Sequence, residues 1–131
     1  MQKKIGAVNT ILNKNGQLVG YNTDAIASES LIKKIKLHMN DKILIVGAGG
    51  VAKAILYSLN KIGFKNIFVT NRTYYKIKKL NKICKVNTVK SSEIKKIDFN
   101  VFINATSKGM SSTDIALDFE ILKENINKIK L

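Results

Sequence analysis

Three small residues in the stretch Lys42 to Ala54, KILIVGAGGVAKA, have the clearest capacity for chemistry. Gly47, Gly49 and Ala52 fill the spacing G-x-G-x-x-A directly after a short run of Ile, Leu and Val, which is typical of a strand buried on both faces of a parallel sheet. The first glycine would permit a tight bend, the second would let the backbone approach a pyrophosphate, and the third small residue would let the helix pack closely. We therefore predict a dinucleotide site with the pyrophosphate at the helix N-terminus. The alternative is a plain glycine turn between a buried strand and a helix.

A basic cluster follows the next predicted strand, Asn66 to Thr70. In NAD-binding sites an acidic residue commonly ends this strand, about 20 residues past the glycines, and bonds the ribose 2′-hydroxyl. Here the position holds Arg72, the single arginine beside 22 lysines, and a guanidinium offers a planar fork for phosphate. Thr73 adds a hydroxyl donor and Lys76 a further charge. The cluster favours NADP over NAD, and a surface arginine at a strand end is the alternative.

The remaining pattern predicts an α/β fold: a Rossmann-like doubly wound parallel sheet, incomplete, preceded by a β-hairpin. The hairpin comprises Ala7 to Leu12 and Gln17 to Tyr21, joined by a turn through Asn15-Gly16. A helix over residues 25–37 follows, with Thr23 or Asp24 as its N-cap, and with an apolar face formed by Ile26, Leu31, Ile32 and Ile35. After the glycine turn we predict a helix that ends at Gly63. After the strand Asn66 to Thr70 we predict a helix over 75–83, a strand over 85–89, a helix over 91–97 capped by Ser91 or Ser92, a strand over 101–104 and a helix over 120–129.

Composition narrows the function classes. The chain has 131 residues and a net charge of +14, and clustered basic residues are the usual sign of nucleic-acid binding. The lysines are instead scattered along the whole chain, so we expect no specific nucleic acid, although a basic nucleic-acid-binding domain remains the third hypothesis. Cys84 is the single cysteine, which predicts a small buried side chain and no metal site. No apolar run approaches the roughly 18 residues of a membrane span, and we expect a cytoplasmic protein without a membrane partner.

Five strings in this order resemble the shikimate dehydrogenase family. They are IGAVNT (Ile5 to Thr10), GYNTD (Gly20 to Asp24), GAGGVAKA (Gly47 to Ala54), NRT followed by Lys76 (Asn71 to Thr73), and INATSKGM (Ile103 to Met110). The paired GAVNT and GYNTD strings distinguish this family from other Rossmann proteins.

The resemblance implies reversible hydride transfer from NADPH to the ketone of 3-dehydroshikimate, which gives shikimate in aromatic amino acid (chorismate) biosynthesis. It implies a substrate domain, of which residues 1–24 are a remnant, and an NADP-binding Rossmann domain over residues 25–131. Asn9 matches a substrate-binding position, and Asp24 matches the carboxylate that holds substrate hydroxyls and pairs with a catalytic lysine. The implied NADP contacts are Gly47, Ala48, Gly49, Gly50, Val51, Ala52, Asn71, Arg72, Thr73, Lys76, Thr106 and Met110.

The departures from the family pattern define a second hypothesis. The family's catalytic lysine and serine-containing motif lie upstream of GAVNT, and its last strand, helix and substrate-contacting glutamine lie beyond Leu131. We therefore expect a partial chain. It is an oxidoreductase by descent, or an NADP(H)-binding module without catalysis, and the choice between shikimate and quinate stays open.

Overall fold

A computed structural model of the chain describes residues 5–108, which contain a two-stranded hairpin and a four-stranded parallel sheet. Met110 and the helix predicted over 120–129 lie outside these residues. Within them, no helix combines the length and the apolar character needed to cross a membrane.

The hairpin consists of β1 (Thr10–Lys14) and β2 (Gln17–Tyr21), paired antiparallel. Asn15 and Gly16 both have positive φ, 52° and 84°, which confirms the predicted tight turn. The predicted start of the first strand at Ala7 is wrong. The Ala7 carbonyl accepts a hydrogen bond from the side chain of Asn22 at 3.1 Å, so this residue is tied to a helix cap instead of a strand partner.

Helix α1 spans Thr23–Lys34, and its N-cap is Asn22, whose side chain accepts from the Ala25 N–H. The prediction of Thr23 or Asp24 as the cap is therefore wrong, since both residues lie in the first turn of the helix. The predicted apolar face is also wrong for three of its four members. Ile26, Leu31 and Ile35 are 52%, 59% and 43% exposed, and only Ile32 is buried.

The sheet has the order β5-β4-β3-β6, in which β3 is Ile43–Val46, β4 is Ile67–Thr70, β5 is Asn87–Thr88 and β6 is Val101–Asn104. All its pairings are parallel, and β3 is buried throughout. Helix α2 (Gly50–Ile62) covers one face and ends at Gly63 in the left-handed conformation. A strand order that places β3 between β4 and β6 is the Rossmann arrangement, so the predicted fold class is confirmed.

The elements between β4 and β6 are shorter than the sequence pattern predicts. Strand β5 comprises only Asn87–Thr88 of the predicted 85–89, whereas β6 has the predicted bounds. Helix α3 spans only Tyr74–Lys78 and continues as a 3-10 helix over Lys79–Lys82. The predicted helix over 91–97 is a 3-10 helix, Ser91–Lys96, and its cap residue Lys90 makes no side-chain capping bond, so the predicted serine cap is wrong. Cys84 is buried, as predicted, and burial raises the pKa of its thiol.

Candidate functional site

Three strands end side by side at the carboxyl edge of the sheet. Val46 pairs in register with Thr70 on one side and with Asn104 on the other. The Gly47 N–H donates to the Thr70 carbonyl at 2.9 Å, and the Ala105 N–H donates to the Val46 carbonyl at 2.8 Å. The glycine turn, the NRT turn and the loop after β6 therefore meet at one edge, which is where ligands bind in open α/β sheets.

Gly47 makes the closest backbone approach at this edge. Its φ is +125°, and a Cβ added there would lie 2.6 Å from the Ala105 carbonyl oxygen. Two separate constraints, the positive φ and the packed carbonyl, thus require glycine. The loop after β6 lies directly against the turn as a result.

Gly49 and Gly50 differ from Gly47, because a Cβ added at either one would meet no atom within 4 Å. Both are exposed. Helix α2 begins at Gly50, and its N-cap Gly49 contributes no side-chain hydrogen bond, so the first N–H groups of the helix have no intrahelical acceptor. Ala52 is fully buried against the sheet. This open cradle of amides at a helix N-terminus has the positive polarity that favours a phosphate group.

The NRT turn presents a cation beside that cradle. The Asn71 side chain donates to the Thr73 carbonyl at 3.0 Å, which holds the turn in shape. Arg72 is exposed, and the structure records no hydrogen bond or ion pair between its guanidinium and any of residues 5–108. Lys76 is also exposed, one turn into α3. The predicted phosphate-binding cluster is therefore assembled at the strand end with its charges uncompensated by the described carboxylates.

Asn104 organises the third loop, and sequence reasoning assigned it no role. Its Oδ1 accepts from the N–H and the hydroxyl of Thr106 at 3.0 and 2.7 Å, and its Nδ2 donates to the Lys108 carbonyl at 2.9 Å. These bonds hold Thr106 close to the glycine turn. The sequence feature that could have indicated this role is an amide side chain at the last position of an otherwise apolar strand.

The two predicted substrate residues lie where the hairpin meets α1. Asn9 Oδ1 accepts from the N–H of Thr23 at 2.9 Å, from its hydroxyl at 3.2 Å and from the Thr10 hydroxyl at 3.2 Å. Its amide NH₂ has no recorded partner among residues 5–108, and the same holds for the half-buried carboxylate of Asp24. Thr23, which the sequence suggested only as a helix N-cap, therefore orients Asn9.

Contacts between α1 and α2 place these substrate residues at the same end of the molecule as the glycine turn. Ala25 packs with Ala54 near the start of each helix, and Glu29 bonds Lys61 further along both. The two helices consequently run in the same direction, with their N-termini together.

Glu29 fixes this helix pair. Its carboxylate contacts Lys33 at 2.7 Å within α1 and Lys61 at 2.8 Å on α2. Hydrogen bonds from these two ammonium groups lower the pKa of Glu29 from 4.5 to about 2. The carboxylate is thus ionised over the whole neutral range.

Comparison with known proteins agrees with this geometry. The sequence profile of the shikimate/quinate 5-dehydrogenase family matches residues 30–124. A shikimate dehydrogenase (NADP(+)) from Bacillus cereus is 41% identical over an alignment of 118 positions, which covers 84% of this chain and 43% of that protein.

Two solved structures extend the comparison. The shikimate 5-dehydrogenase of Thermus thermophilus in complex with NADP(H) and shikimate superposes with a TM-score of 0.77 at 29% identity, over 91% of this chain and 45% of that one. The quinate dehydrogenase of Corynebacterium glutamicum in complex with NAD superposes with a TM-score of 0.81 at 26% identity, over 95% and 48%. The chain spans less than half the length of these relatives. Because the family profile matches well over half of the residues, the chain belongs to the shikimate/quinate 5-dehydrogenase family.

Proposed function

We propose that this chain is the nucleotide-binding part of an NADP-dependent shikimate dehydrogenase, and that NADP(H) binds across the carboxyl ends of β3, β4 and β6. One arrangement carries the proposal: the cradle at Gly49 is open, and Arg72, which has no ion pair among residues 5–108, follows the end of the neighbouring strand. The Bacillus cereus relative named for NADP(+) and the Thermus thermophilus structure that holds NADP(H) and shikimate support it.

The cofactor would be divided among the three loops. The glycine turn, comprising Gly47, Ala48, Gly49, Gly50, Val51 and Ala52, would hold the pyrophosphate at the N-terminus of α2. The turn of Asn71, Arg72 and Thr73, with Lys76, would hold the adenosine 2′-phosphate, because a guanidinium and a hydroxyl match its oxygens. Thr106 and Met110 would contact the nicotinamide side, although Met110 lies outside the described residues.

The substrate would be a small hydroxylated acid that carries a ketone. The family resemblance implies 3-dehydroshikimate, whose reduction gives shikimate. When bound, the nicotinamide supplies the hydride. Asn9, whose side-chain oxygen accepts a hydrogen bond from Thr23, would offer its NH₂ to a ligand oxygen. The Asp24 carboxylate, which has no recorded partner among residues 5–108, would accept hydrogen bonds from substrate hydroxyls. Asp24 would in this way fix the ketone near the cofactor.

The domain assignment is likewise a proposal, with residues 1–24 from a substrate domain and 25–131 from the Rossmann domain. The hairpin supports it, because Ile11 and Leu18 are 66% and 71% exposed there. A hairpin of two strands is marginal without a covering layer. In the whole protein a substrate domain would supply that layer.

Cofactor binding without catalysis is the second candidate. The resemblance pairs Asp24 with a catalytic lysine, and the structure records no ion pair between Asp24 and a lysine of residues 5–108. Loss of a general acid costs roughly 10²- to 10⁴-fold in rate. Shikimate-dependent formation of NADPH by the purified chain separates the two candidates. A rate above the uncatalysed background supports the enzyme, and a rate equal to the background supports the binding module.

The direct test measures NADPH binding through the nicotinamide fluorescence, which no protein indole disturbs because the chain has no tryptophan. Arg72→Glu should weaken NADPH binding by at least about tenfold, because a charged contact is lost and repulsion is added. Lys65→Glu is the matched control, since it makes the same change of charge at an exposed lysine before the amino end of β4. No binding by the parent chain refutes the cofactor proposal, and equal losses in both variants refute the role of Arg72.

A further inference from the structure

We propose that Lys90 is a further cation of the adenosine 2′-phosphate subsite and contributes to the choice of NADPH over NADH. The inference rests on the proposed function and assigns to it a residue outside the NRT turn. It follows from the placement of Lys90 at the sheet edge, from the aromatic ring that holds its ammonium group, and from the balance of charge around it.

Lys90 leaves the sheet at the same edge as the NRT turn. Strand β5 pairs with β4 in parallel, with Thr88 opposite Val69, and the Val89 N–H still donates to the Val69 carbonyl at 2.9 Å. Lys90 is the next residue, just as Asn71 follows Thr70 on the neighbouring strand. Parallel neighbours that end in register bring the residues after them together at one edge.

Tyr74 holds the ammonium group of Lys90 on the side of the NRT turn. The Lys90 Nζ lies 5.8 Å from the centroid of the Tyr74 ring, within the range of a cation–π contact. Tyr74 follows Thr73 directly and begins α3. Its hydroxyl is 3.3 Å from Thr88 Oγ1, so the ring is fastened to β5 as well as to α3. Ordering a free lysine side chain costs conformational entropy. The contact with the Tyr74 ring already restricts Lys90 before a ligand binds, which reduces this cost.

The charges around Lys90 favour a dianion. Lys90 makes no ion pair with the carboxylates of residues 5–108. Glu93, whose backbone N–H donates to the Lys90 carbonyl, is the acidic residue of the following 3-10 helix, and Lys95 and Lys96 in that helix outnumber it. With Arg72 in the NRT turn at the same end of the sheet, this edge carries an excess of positive charge. A 2′-phosphate gains from each added cation, whereas the 2′-hydroxyl of NADH does not.

The test compares NADPH and NADH binding to the full chain by nicotinamide fluorescence. Lys90→Gln should weaken NADPH binding by roughly three- to tenfold and leave NADH binding nearly unchanged. Lys85→Gln is the matched control, because Lys85 is an exposed lysine before the amino end of β5. Lys90→Arg should retain most of the preference, since it keeps the charge.

Two Tyr74 variants test whether the aromatic ring positions the Lys90 ammonium group or whether only the charge of Lys90 matters. Tyr74→Phe keeps the ring face and should keep the NADPH preference, whereas Tyr74→Leu should lose part of it. A parent chain that binds neither nucleotide refutes the proposed function and the inference together. A parent that binds NADPH while Lys90→Gln has the same NADPH/NADH ratio as the parent, or the same loss as Lys85→Gln, refutes the inference alone.

Discussion

Alanine at Gly47 and alanine at Gly49 should fail in different ways, although both glycines belong to one motif. At Gly47 an added Cβ would lie 2.6 Å from the Ala105 carbonyl oxygen, and φ is +125°. An L-residue in left-handed backbone costs about 1–2 kcal/mol, and forced overpacking adds about 1–3 kcal/mol. The carbonyl cannot move away cheaply, because the N–H of the same residue is bonded to Val46. We expect Gly47→Ala to lose about 2–5 kcal/mol of unfolding free energy.

Gly49→Ala provides the comparison within the same turn. Gly49 has φ −85°, which alanine adopts readily, and its Cβ would meet nothing within 4 Å. The expected loss of stability is below about 1 kcal/mol, from the poorer N-cap. The methyl group would nevertheless occupy the space that the pyrophosphate needs, so NADPH affinity should fall by roughly tenfold or more.

Urea unfolding followed by far-UV circular dichroism, together with NADPH titration, distinguishes the two variants. The unfolding free energy of a small protein falls by about 1–3 kcal/mol for each 1 M of urea. The urea midpoint of Gly47→Ala should therefore be lower than the parent midpoint by about 1 M or more. The Gly49→Ala midpoint should stay close to the parent value. Equal midpoints in the two variants would show that Ala105 does not constrain the turn. Full NADPH affinity in Gly49→Ala would show that the cradle is not the pyrophosphate site.

Three further substitutions test the packing around the site. Glu29→Gln removes the ionic bridge to Lys61. The pKa of Glu29 in the folded protein is lowered to about 2 from 4.5. The bridge therefore stabilises the fold fully above pH 4.5 and progressively less as the pH falls toward 2. Urea midpoints of the parent should therefore fall more steeply than those of Glu29→Gln over that interval, and parallel curves would contradict the bridge. Asn22→Ala removes the α1 cap and the bond to the hairpin, and should cost about 1–2 kcal/mol in the same unfolding assay; no loss would mean that water replaces the cap. The buried Thr70 hydroxyl has no partner among residues 5–108, so Thr70→Val should leave the unfolding free energy unchanged or raise it by up to about 1 kcal/mol, and a clear decrease would reveal a bond that the structure does not record.

The sequence predicted best where one local pattern decides the structure. The run Ile43 to Val46 is apolar throughout, the glycines allow only a turn after it, and Gly63 ends the helix in the left-handed conformation. Each signal is complete within a few residues. The two strand ends that carry the proposed 2′-phosphate and pyrophosphate contacts follow from the same logic, because parallel strands place their carboxyl ends at one edge.

Predictions failed where a residue's partner is distant in the sequence. The N-cap of α1 was placed at Thr23 or Asp24 instead of Asn22, which is a local error. The bond from Asn22 to the Ala7 carbonyl, 15 residues earlier, cannot be seen in local spacing. The contact of Ala105 with Gly47 joins positions 58 residues apart. The bond between the Tyr74 and Thr88 hydroxyls joins positions 14 residues apart, and no helical periodicity reveals it.

The apolar face of α1 shows a limit of a different kind. The apolar residues Ile26, Leu31 and Ile35 are exposed in the described structure, although an apolar helix face is usually buried. A helical pattern states which residues share a face, but the identity of the covering element depends on the rest of the protein. The exposed Ile11 and Leu18 of the hairpin raise the same question. Since the relatives are more than twice as long as this chain, the burial that the pattern predicts for these surfaces is consistent with contacts from the proposed substrate domain. The proposed nucleotide site is better defined than the proposed substrate site for the same reason. The glycine turn and the NRT turn are joined through the sheet, whereas the Asn9 NH₂ and the Asp24 carboxylate have no recorded partner among residues 5–108.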